Sequence, residues 1–241
     1  MTNRIFLCLF IVVCGVVAFA QKPSKPWVEW SDKEVKKMLD DSPWGRSQIE
    51  TNTSEMFFRP DGVGASGPTT SSQRTAIGQT NQATSVNYRV RFLSARPIRE
   101  AFARQVLLAQ KSAEPELVSQ LKSFVERDFS DYIVVAVTYD TKDPRFANVP
   151  NQAFAGALTA TLKSTTYLDR NDGKRLFLAD YRPPTADGMG AKFIFPKKVD
   201  GNPFLTSDFS NVRFYSEIGK QVKLDVRFKV SDMYYNGQLE Y

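Results

Sequence analysis

The strongest fold signal in the sequence is Ile133-Val134-Val135-Ala136-Val137-Thr138-Tyr139. This run is apolar and rich in β-branched residues, a pattern typical of a strand that is buried on both faces. Two segments before it, 97–111 and 115–129, carry apolar residues at helical spacing, and each has a proline near its start. The sequence therefore predicts a central strand preceded by two amphipathic helices.

Further strands are predicted on either side of this centre. Residues 86–92 alternate between apolar and polar types, and Asn171-Asp172-Gly173 is a strong hairpin turn between the strand-like segments 159–168 and 174–181. Other extended segments are 48–58, 192–195, 211–216 and 221–230. Short helices are predicted at 32–40, which follows a capping box formed by Ser31 and Glu34, and at 151–158.

These segments predict the fold class α+β. We expect a single domain over residues 21–241, with a largely antiparallel sheet in its C-terminal half and two to three amphipathic helices in its N-terminal half and middle. Residues 60–85 are rich in Gly, Ser and Thr and have almost no large apolar side chains. We expect this stretch to be a mobile loop within the domain, because it has too little apolar surface to offset its ordering entropy.

Residues 1–20 are typical of a cleavable secretory signal peptide. Arg4 is their only charge, a long apolar run follows it, and Ala18-Phe19-Ala20 supplies the small residues that signal peptidase recognises. We expect a periplasmic or secreted protein with no transmembrane span in the mature chain. A lipid anchor on Cys14 remains an alternative to soluble export, although the preceding Val13 is bulkier than such sites prefer.

The composition excludes several kinds of catalysis. The sequence has no histidine, and both cysteines, Cys8 and Cys14, lie in the predicted signal peptide. Ser-His-Asp and Cys-His catalysis, His/Cys zinc sites and histidine-ligated haem are therefore excluded. We predict no catalytic residue, no metal site and no cofactor. The formal net charge of +6 favours anionic partners but is too small to indicate nucleic-acid binding.

Three short motifs resemble functional signatures but lack their context. Gly62-Val63-Gly64-Ala65-Ser66-Gly67 matches a dinucleotide-binding pattern, yet Pro68 follows where a helix should begin. Ser119-Gln120-Leu121-Lys122 matches the Ser–Lys motif of penicillin-recognising enzymes without its companion motifs, so we expect an exposed helix face. Asp169 to Gly173 does not match the ligand spacing of a calcium loop.

The three tryptophans lie close together in the sequence, at Trp27, Trp30 and Trp44. Such a cluster can form an aromatic surface that stacks on sugar rings. The alternative, which we favour, is that these side chains fasten the first helix to the core, because tryptophan buries a large apolar area.

A Val-Arg-Phe triplet occurs in three of the predicted strands, at Val90-Arg91-Phe92, Val212-Arg213-Phe214 and Val226-Arg227-Phe228. If these strands are neighbours, one sheet face carries a basic patch opposite the apolar face. The candidate binding residues are Arg89, Arg91, Lys223, Arg227 and Lys229. The alternative is an ordinary solvated sheet face on which Lys and Arg prevent edge pairing.

Several stretches resemble a group of uncharacterised secreted bacterial proteins. They are Lys25-Pro26-Trp27 through Trp30, Asp41-Ser42-Pro43-Trp44, Tyr167-Leu168-Asp169-Arg170-Asn171-Asp172-Gly173-Lys174-Arg175 and Gly190-Ala191-Lys192-Phe193-Ile194-Phe195-Pro196. The resemblance covers most of the predicted mature chain. It implies a bacterial envelope or secreted setting and brings no activity or site residues.

The sequence therefore favours an exported, non-enzymatic binding or envelope-associated protein. Candidate partners are an anionic glycan, lipid head groups or an envelope protein, and no nucleic acid. The alternative is a histidine-free hydrolase of envelope or extracellular polymers that uses paired carboxylates, or Ser119 and Lys122 buried together. An outer-membrane barrel is disfavoured by the two central helices and by the small number of long strands.

Overall fold

This computed structural model describes residues 25–52 and 84–241, apart from residues 111, 113 and 143. Its helices are α1 (Asp32–Asp40), α2 (Arg96–Ala109), α3 (Pro115–Val125), α4 (Asn148–Gly156) and the single turn α5 (Thr159–Leu162). Its first seven strands are β1 (Gly45–Asn52), β2 (Thr84–Phe92), β3 (Tyr132–Thr141), β4 (Thr166–Arg170), β5 (Arg175–Phe177), β6 (Asp180–Arg182) and β7 (Ala191–Pro196). They are followed by β8 (Lys198–Val199), β9 (Asn202–Pro203), β10 (Asn211–Ile218), β11 (Val222–Lys229), β12 (Tyr234–Tyr235) and β13 (Gln238–Leu239).

Some predictions concern residues that lie outside this description. They are the signal peptide at 1–20, most of the loop predicted at 60–85, the glycine motif at 62–67 and the second half of the extended segment 48–58. Thr84 and Ser85, which the loop prediction included, already belong to β2.

The first sheet has the strand order β1-β2-β3-β7-β6, and every pair in it is antiparallel. The strand β3 lies at its centre, and residues 133–137 are buried without a break. This confirms the central strand predicted from the apolar run. Gly190, just before β7, has a φ of +80° and lies so close to β3 that an added Cβ would be 2.1 Å from the Val137 carbonyl oxygen.

The second sheet has the order β11-β10-β4-β5 and is also antiparallel. It packs face to face on the first sheet through aromatic contacts. The ring centroids of Phe92 and Phe228 are 4.9 Å apart, and those of Phe193 and Phe214 are 5.3 Å apart. The valines and phenylalanines of the three Val-Arg-Phe triplets are therefore the core between two sheets, and all six are buried.

Helices α1 and α2 cover the other face of the first sheet, and α3 packs against α2. The predicted capping box is present: Glu34 N donates to Ser31 Oγ, and Ser31 N donates to the Glu34 carboxylate. Val35 and Leu39 are the buried residues of α1. The helices and the largely antiparallel sheets make this an α+β fold, as predicted.

Two predicted strands are wrong in part. Residues 159–162 form the turn α5 instead of a strand, because Leu162 is buried and Thr159 is held by a hydrogen bond from its Oγ1 to Asp180. The segment 174–181 is divided between two sheets. Leu178 N donates to Thr166 O in the second sheet, whereas Ala179 N donates to Ile194 O in the first. One segment thus supplies β5 to one sheet and β6 to the other.

Candidate binding face

The outer face of the second sheet carries polar, charged and aromatic side chains in rows across the strands. Strand β11 shows why, since Val222, Leu224, Val226 and Phe228 are buried while the residues between them are exposed. Strand pairing defines one row as Arg227, Arg213, Asp169 and Arg175, the next as Asp225, Tyr215, Tyr167 and Phe177, and a third as Lys223 and Glu217. We call these residues the outer face.

Arg213 is the electrostatic centre of the outer face. Its Nε and Nη2 donate to the two carboxylate oxygens of Asp225 at 2.6 and 2.5 Å, and Asp169 lies 3.9 Å from Nη1. The hydrogen bonds with Asp225 raise the pKa of Arg213 above its usual value and lower the pKa of Asp225. Both groups are therefore charged, and Arg213 is neutralised within the protein.

Arg227 lies directly across from Arg213 in the antiparallel pair. Like charges at such positions destabilise a sheet unless a third group compensates them, and Asp225 hydrogen-bonds to Arg213 while it interacts with Arg227 only at longer range. Among the described residues, neither Arg227 nor Lys223 has an ion-pair partner, and both are exposed. These two cations are therefore available to an external anion.

Two further cations, Arg175 and Lys229, extend the positive charge of Arg227 and Lys223. Arg175 is exposed, and its Nε is 3.7 Å from the Asp169 carboxylate, which is a loose contact. Lys229 follows Arg227 on the same side of β11 and pairs with Asp232 at 3.0 Å, where both side chains are largely exposed. Exposed pairs of this kind are weak and exchange readily with other ions.

The aromatic row gives the outer face a rigid centre. Tyr167 and Tyr215 stack with ring centroids 5.0 Å apart. The rings of Phe177 and Tyr167 are in a T-shaped arrangement, with centroids 5.9 Å apart. The guanidinium of Arg175 lies 4.4 Å from the Tyr167 ring centre, and that of Arg213 lies 5.0 Å from the Tyr215 ring. The rings therefore orient the arginines, while Phe177, which is 49% exposed, offers apolar surface at the rim.

Tyr215 is also held by its hydroxyl, which donates to the Glu217 carboxylate. This hydrogen bond is the main reason why the pKa of Tyr215 is raised to about 12. The phenol is therefore neutral at physiological pH and is not a base or nucleophile. The outer face can bind through charge and contact, and its described residues provide no activated group.

The structure separates the predicted basic residues into two sets. Lys223, Arg227 and Lys229 share the outer face, but Arg89 and Arg91 lie on the first sheet, on the face that α1 covers. The hypothesis of one basic patch formed by all five residues is therefore wrong. The Val-Arg-Phe strands are not all neighbours, because β2 belongs to a different sheet from β10 and β11.

Arg91 in particular is a structural residue. It is 5% exposed and donates to Leu39 O at 2.8 Å, to Thr138 Oγ1 at 2.8 Å and to Asp40 Oδ1 at 2.9 Å. Burial lowers its pKa, and Asp40 opposes this shift. Arg89 pairs with both Asp40 and Asp140, at 3.2 and 2.6 Å. These arginines bind α1 to the sheet.

The tryptophans form no exposed aromatic surface. Trp30 and Trp44 are buried, and their indole N–H groups donate to Lys25 O at 3.0 Å and Glu240 O at 2.8 Å. Trp27 is half-buried and packs against the same core. Their positions agree with the second interpretation, in which they fasten the first helix to the core.

Other candidate chemistry finds no support in the described residues. Ser119 and Lys122 are both exposed on α3, so they are not buried together as a Ser–Lys mechanism requires. The part of the chain that the structure describes contains no cluster of acidic residues that could hold a metal ion. It also contains no helix long and apolar enough to cross a membrane.

Sequence reasoning missed the aromatic row, which comprises Tyr167, Tyr215 and Phe177. A signal was present: the hairpin turn at Asn171-Asp172-Gly173 places Tyr167 opposite Phe177, as the structure has it. Tyr215 was harder to place, because its pairing with Tyr167 depends on β10 lying beside β4, which no local pattern indicates. No protein-family model, curated protein or solved structure matches this chain.

Proposed function

We propose that this protein is a non-enzymatic binding protein that recognises an acidic polysaccharide on its outer face. The observation that carries this proposal is the pairing of Arg227 with Arg213 across two strands, where, of the two, only Arg213 forms direct hydrogen bonds with a carboxylate among the described residues. An anionic group placed over Arg227 and Lys223 would provide the missing counter-charge.

The spacing of the cations favours a polymer over a small ion. Arg227 and Arg175 lie on opposite edge strands of the sheet, with two strands between them. Strands are about 4.8 Å apart, so these charges span roughly 14 Å. A chain with a carboxylate on successive sugar units can contact both ends of such a row, whereas a single small anion cannot.

The setting also supports a polysaccharide. Residues 1–20 predict export, and acidic glycans are abundant polyanions outside the cytoplasm. Phe177 provides apolar surface at the end of the row for a sugar ring, since aromatic side chains pack on the C–H faces of such rings. Lipid head groups, an acidic envelope protein and single-stranded nucleic acid are the competing ligands.

The test is calorimetric titration of the protein with polygalacturonate, and with dextran as a neutral polymer. We expect binding to polygalacturonate that weakens as salt is raised, and no binding to dextran. The double variant R227S/K223S should bind on the order of tenfold more weakly, because it removes the two unpaired cations. The variant F177A should weaken binding without changing its dependence on salt.

The matched control is K33S/K36S, which removes the same charge from exposed positions on α1. We expect this variant to bind like the unmodified protein. Equal weakening in both double variants would show attraction to net charge only and would overturn the assignment to the outer face. Binding to anionic vesicles or to single-stranded DNA without binding to polygalacturonate would overturn the ligand class.

A further inference from the structure

Arg99 on α2 is a buried cation that forms no direct ion pair with any described residue. It is 6% exposed, and its Nε donates to Val125 O at 3.0 Å while Nη1 donates to Ser94 O. Within the described residues, it has no carboxylate partner, and its Nη2 has no hydrogen-bond acceptor. Buried arginines are normally paired, because an unpaired charge inside a protein is strongly destabilising.

Arg99 lines a cavity of about 260 Å³ between the start of α2, the end of α3 and the chain after β7. Lys197, which follows β7, lines the same cavity. Its Nζ donates a hydrogen bond to the main-chain oxygen of Tyr241 at 3.1 Å. Burial is the main reason why the pKa of Lys197 is lowered; the charge of Glu240 opposes this shift, and the charge of Arg99 adds to it. Arg99 and Lys197 thus share one small polar space, which Arg96 and Arg127 also line.

The carboxylates of this cavity are engaged with other groups. Glu126 pairs with Arg96 at 2.6 Å, and Asp128 accepts hydrogen bonds from Ser130 N and Oγ at 2.8 Å each. Glu240 accepts from the backbone N–H of Arg96 at 3.0 Å. None of these carboxylates forms an ion pair with Arg99 in the described part of the chain, although Glu240 stabilises its charge at longer range, so Arg99 can still take a direct anionic partner.

We propose that this cavity binds one small tetrahedral oxyanion of the phosphate and sulfate class. One oxygen would accept from Arg99 Nη2 and another from Lys197 Nζ, which are charge-assisted hydrogen bonds of the strong kind. The ring of Phe129, 4.8 Å from the Arg99 guanidinium carbon, keeps the guanidinium in place. This site uses residues and elements separate from the outer face, and it does not depend on the proposed polysaccharide ligand.

The test is titration of the protein with inorganic phosphate, and separately with sulfate and with glycerol phosphate, while chloride holds the ionic strength constant. We expect one phosphate or sulfate per protein and a rise in the melting temperature. Binding of glycerol phosphate as well would show that the site accepts a phosphate group on a larger molecule. Its failure to bind, with phosphate still bound, would assign the site to the free ion.

The decisive variant is K197M, because Lys197 is only half-buried and R99M carries a greater risk of misfolding. We expect K197M to weaken phosphate binding at least about tenfold. The matched control is K198M, which changes the exposed neighbouring lysine and should bind phosphate normally. The R227S/K223S protein should also bind phosphate normally, which separates this site from the polysaccharide face.

Two results would overturn the proposal. One is the absence of saturable phosphate or sulfate binding by the folded protein. The other is equal weakening by K197M and K198M, which would show a diffuse attraction instead of a defined site.

Discussion

Gln48 accepts a hydrogen bond at its Oε1 from the backbone N–H of Asp225, at 2.8 Å. Its Nε2 donates to the backbone oxygen of Lys223 at 2.7 Å. The side chain of Gln48 thus forms two hydrogen bonds with the backbone of β11, as a neighbouring strand would. Gln48 belongs to β1, the edge strand of the first sheet. The Gln48 amide therefore joins the two sheets at this side and occupies part of the free edge of β11.

The variant Q48E tests this junction. A carboxylate of the same size keeps the bond from Asp225 N–H but places a negative oxygen against the Lys223 carbonyl. We expect the free energy of unfolding to fall by about 1 kcal/mol, measured by urea denaturation at neutral pH. The control is Q152E on the exposed side of α4, which should change stability little. Equal losses in the two variants would show that added charge, and not the lost donor, is responsible.

Arg91 and Arg227 occupy the same position in two Val-Arg-Phe triplets, but Arg91 is a buried structural residue and Arg227 is exposed on the outer face. R91M removes three buried hydrogen bonds that hold α1 on the sheet, so we expect a loss of about 3 kcal/mol in unfolding free energy. R227M removes an exposed side chain and should change stability by less than about 0.5 kcal/mol. Urea denaturation of both variants measures the two losses of unfolding free energy. Losses of similar size would contradict a structural role for Arg91 and an exposed position for Arg227.

This pair of arginines also shows what the sequence could predict. Alternation correctly predicted that Val90, Phe92, Val226 and Phe228 face a core, since a strand has only two faces. It could not predict whether the opposite face would be covered. Arg91 is buried because α1 packs over it, and this contact joins residues about fifty positions apart, 39 and 91. Sheet partnership is a long-range property that local patterns do not contain.

The divided segment 174–181 shows the same limit. Its strand character was predicted, and its apolar residues Leu176 and Leu178 are both buried. The change from one sheet to the other at Ala179 has no local signal, because it depends on where Thr166 and Ile194 present their carbonyl groups. By contrast, the capping box of Ser31 and Glu34 involves only local contacts, and it was predicted in full.

Glu34 gives a prediction about pH. Hydrogen bonds from Ser31 N and Oγ to its carboxylate lower the pKa of Glu34 from 4.5 to about 2. A depressed pKa means that the charged carboxylate stabilises the folded state above pH 4.5, and that this contribution is lost as pH falls towards 2. The variant E34Q should therefore be less stable than the unmodified protein at neutral pH, and the difference should shrink between these two pH values.

Urea denaturation at a series of pH values measures this difference. E29Q is the matched control, because Glu29 is exposed and accepts no side-chain hydrogen bond among the described residues. Its difference from the unmodified protein should stay small throughout. If the E34Q difference were the same at every pH, the carboxylate charge would have no part in capping α1.

Replacing Gly188 and Gly190 separates two destabilising effects, which are backbone strain at positive φ and the steric clash of an added Cβ. Both have positive φ, at +80° and +71°, but an added Cβ meets open space at Gly188 and lies 2.1 Å from the Val137 carbonyl oxygen at Gly190. We therefore expect G188A to lower the free energy of unfolding by about 1 to 2 kcal/mol, through backbone strain only. G190A should lose at least about 2 kcal/mol more, because β7 must move away from the central strand to admit the methyl group. Urea denaturation of the two variants measures the difference, and losses of equal size would show that β7 is not held against β3 as closely as the structure has it.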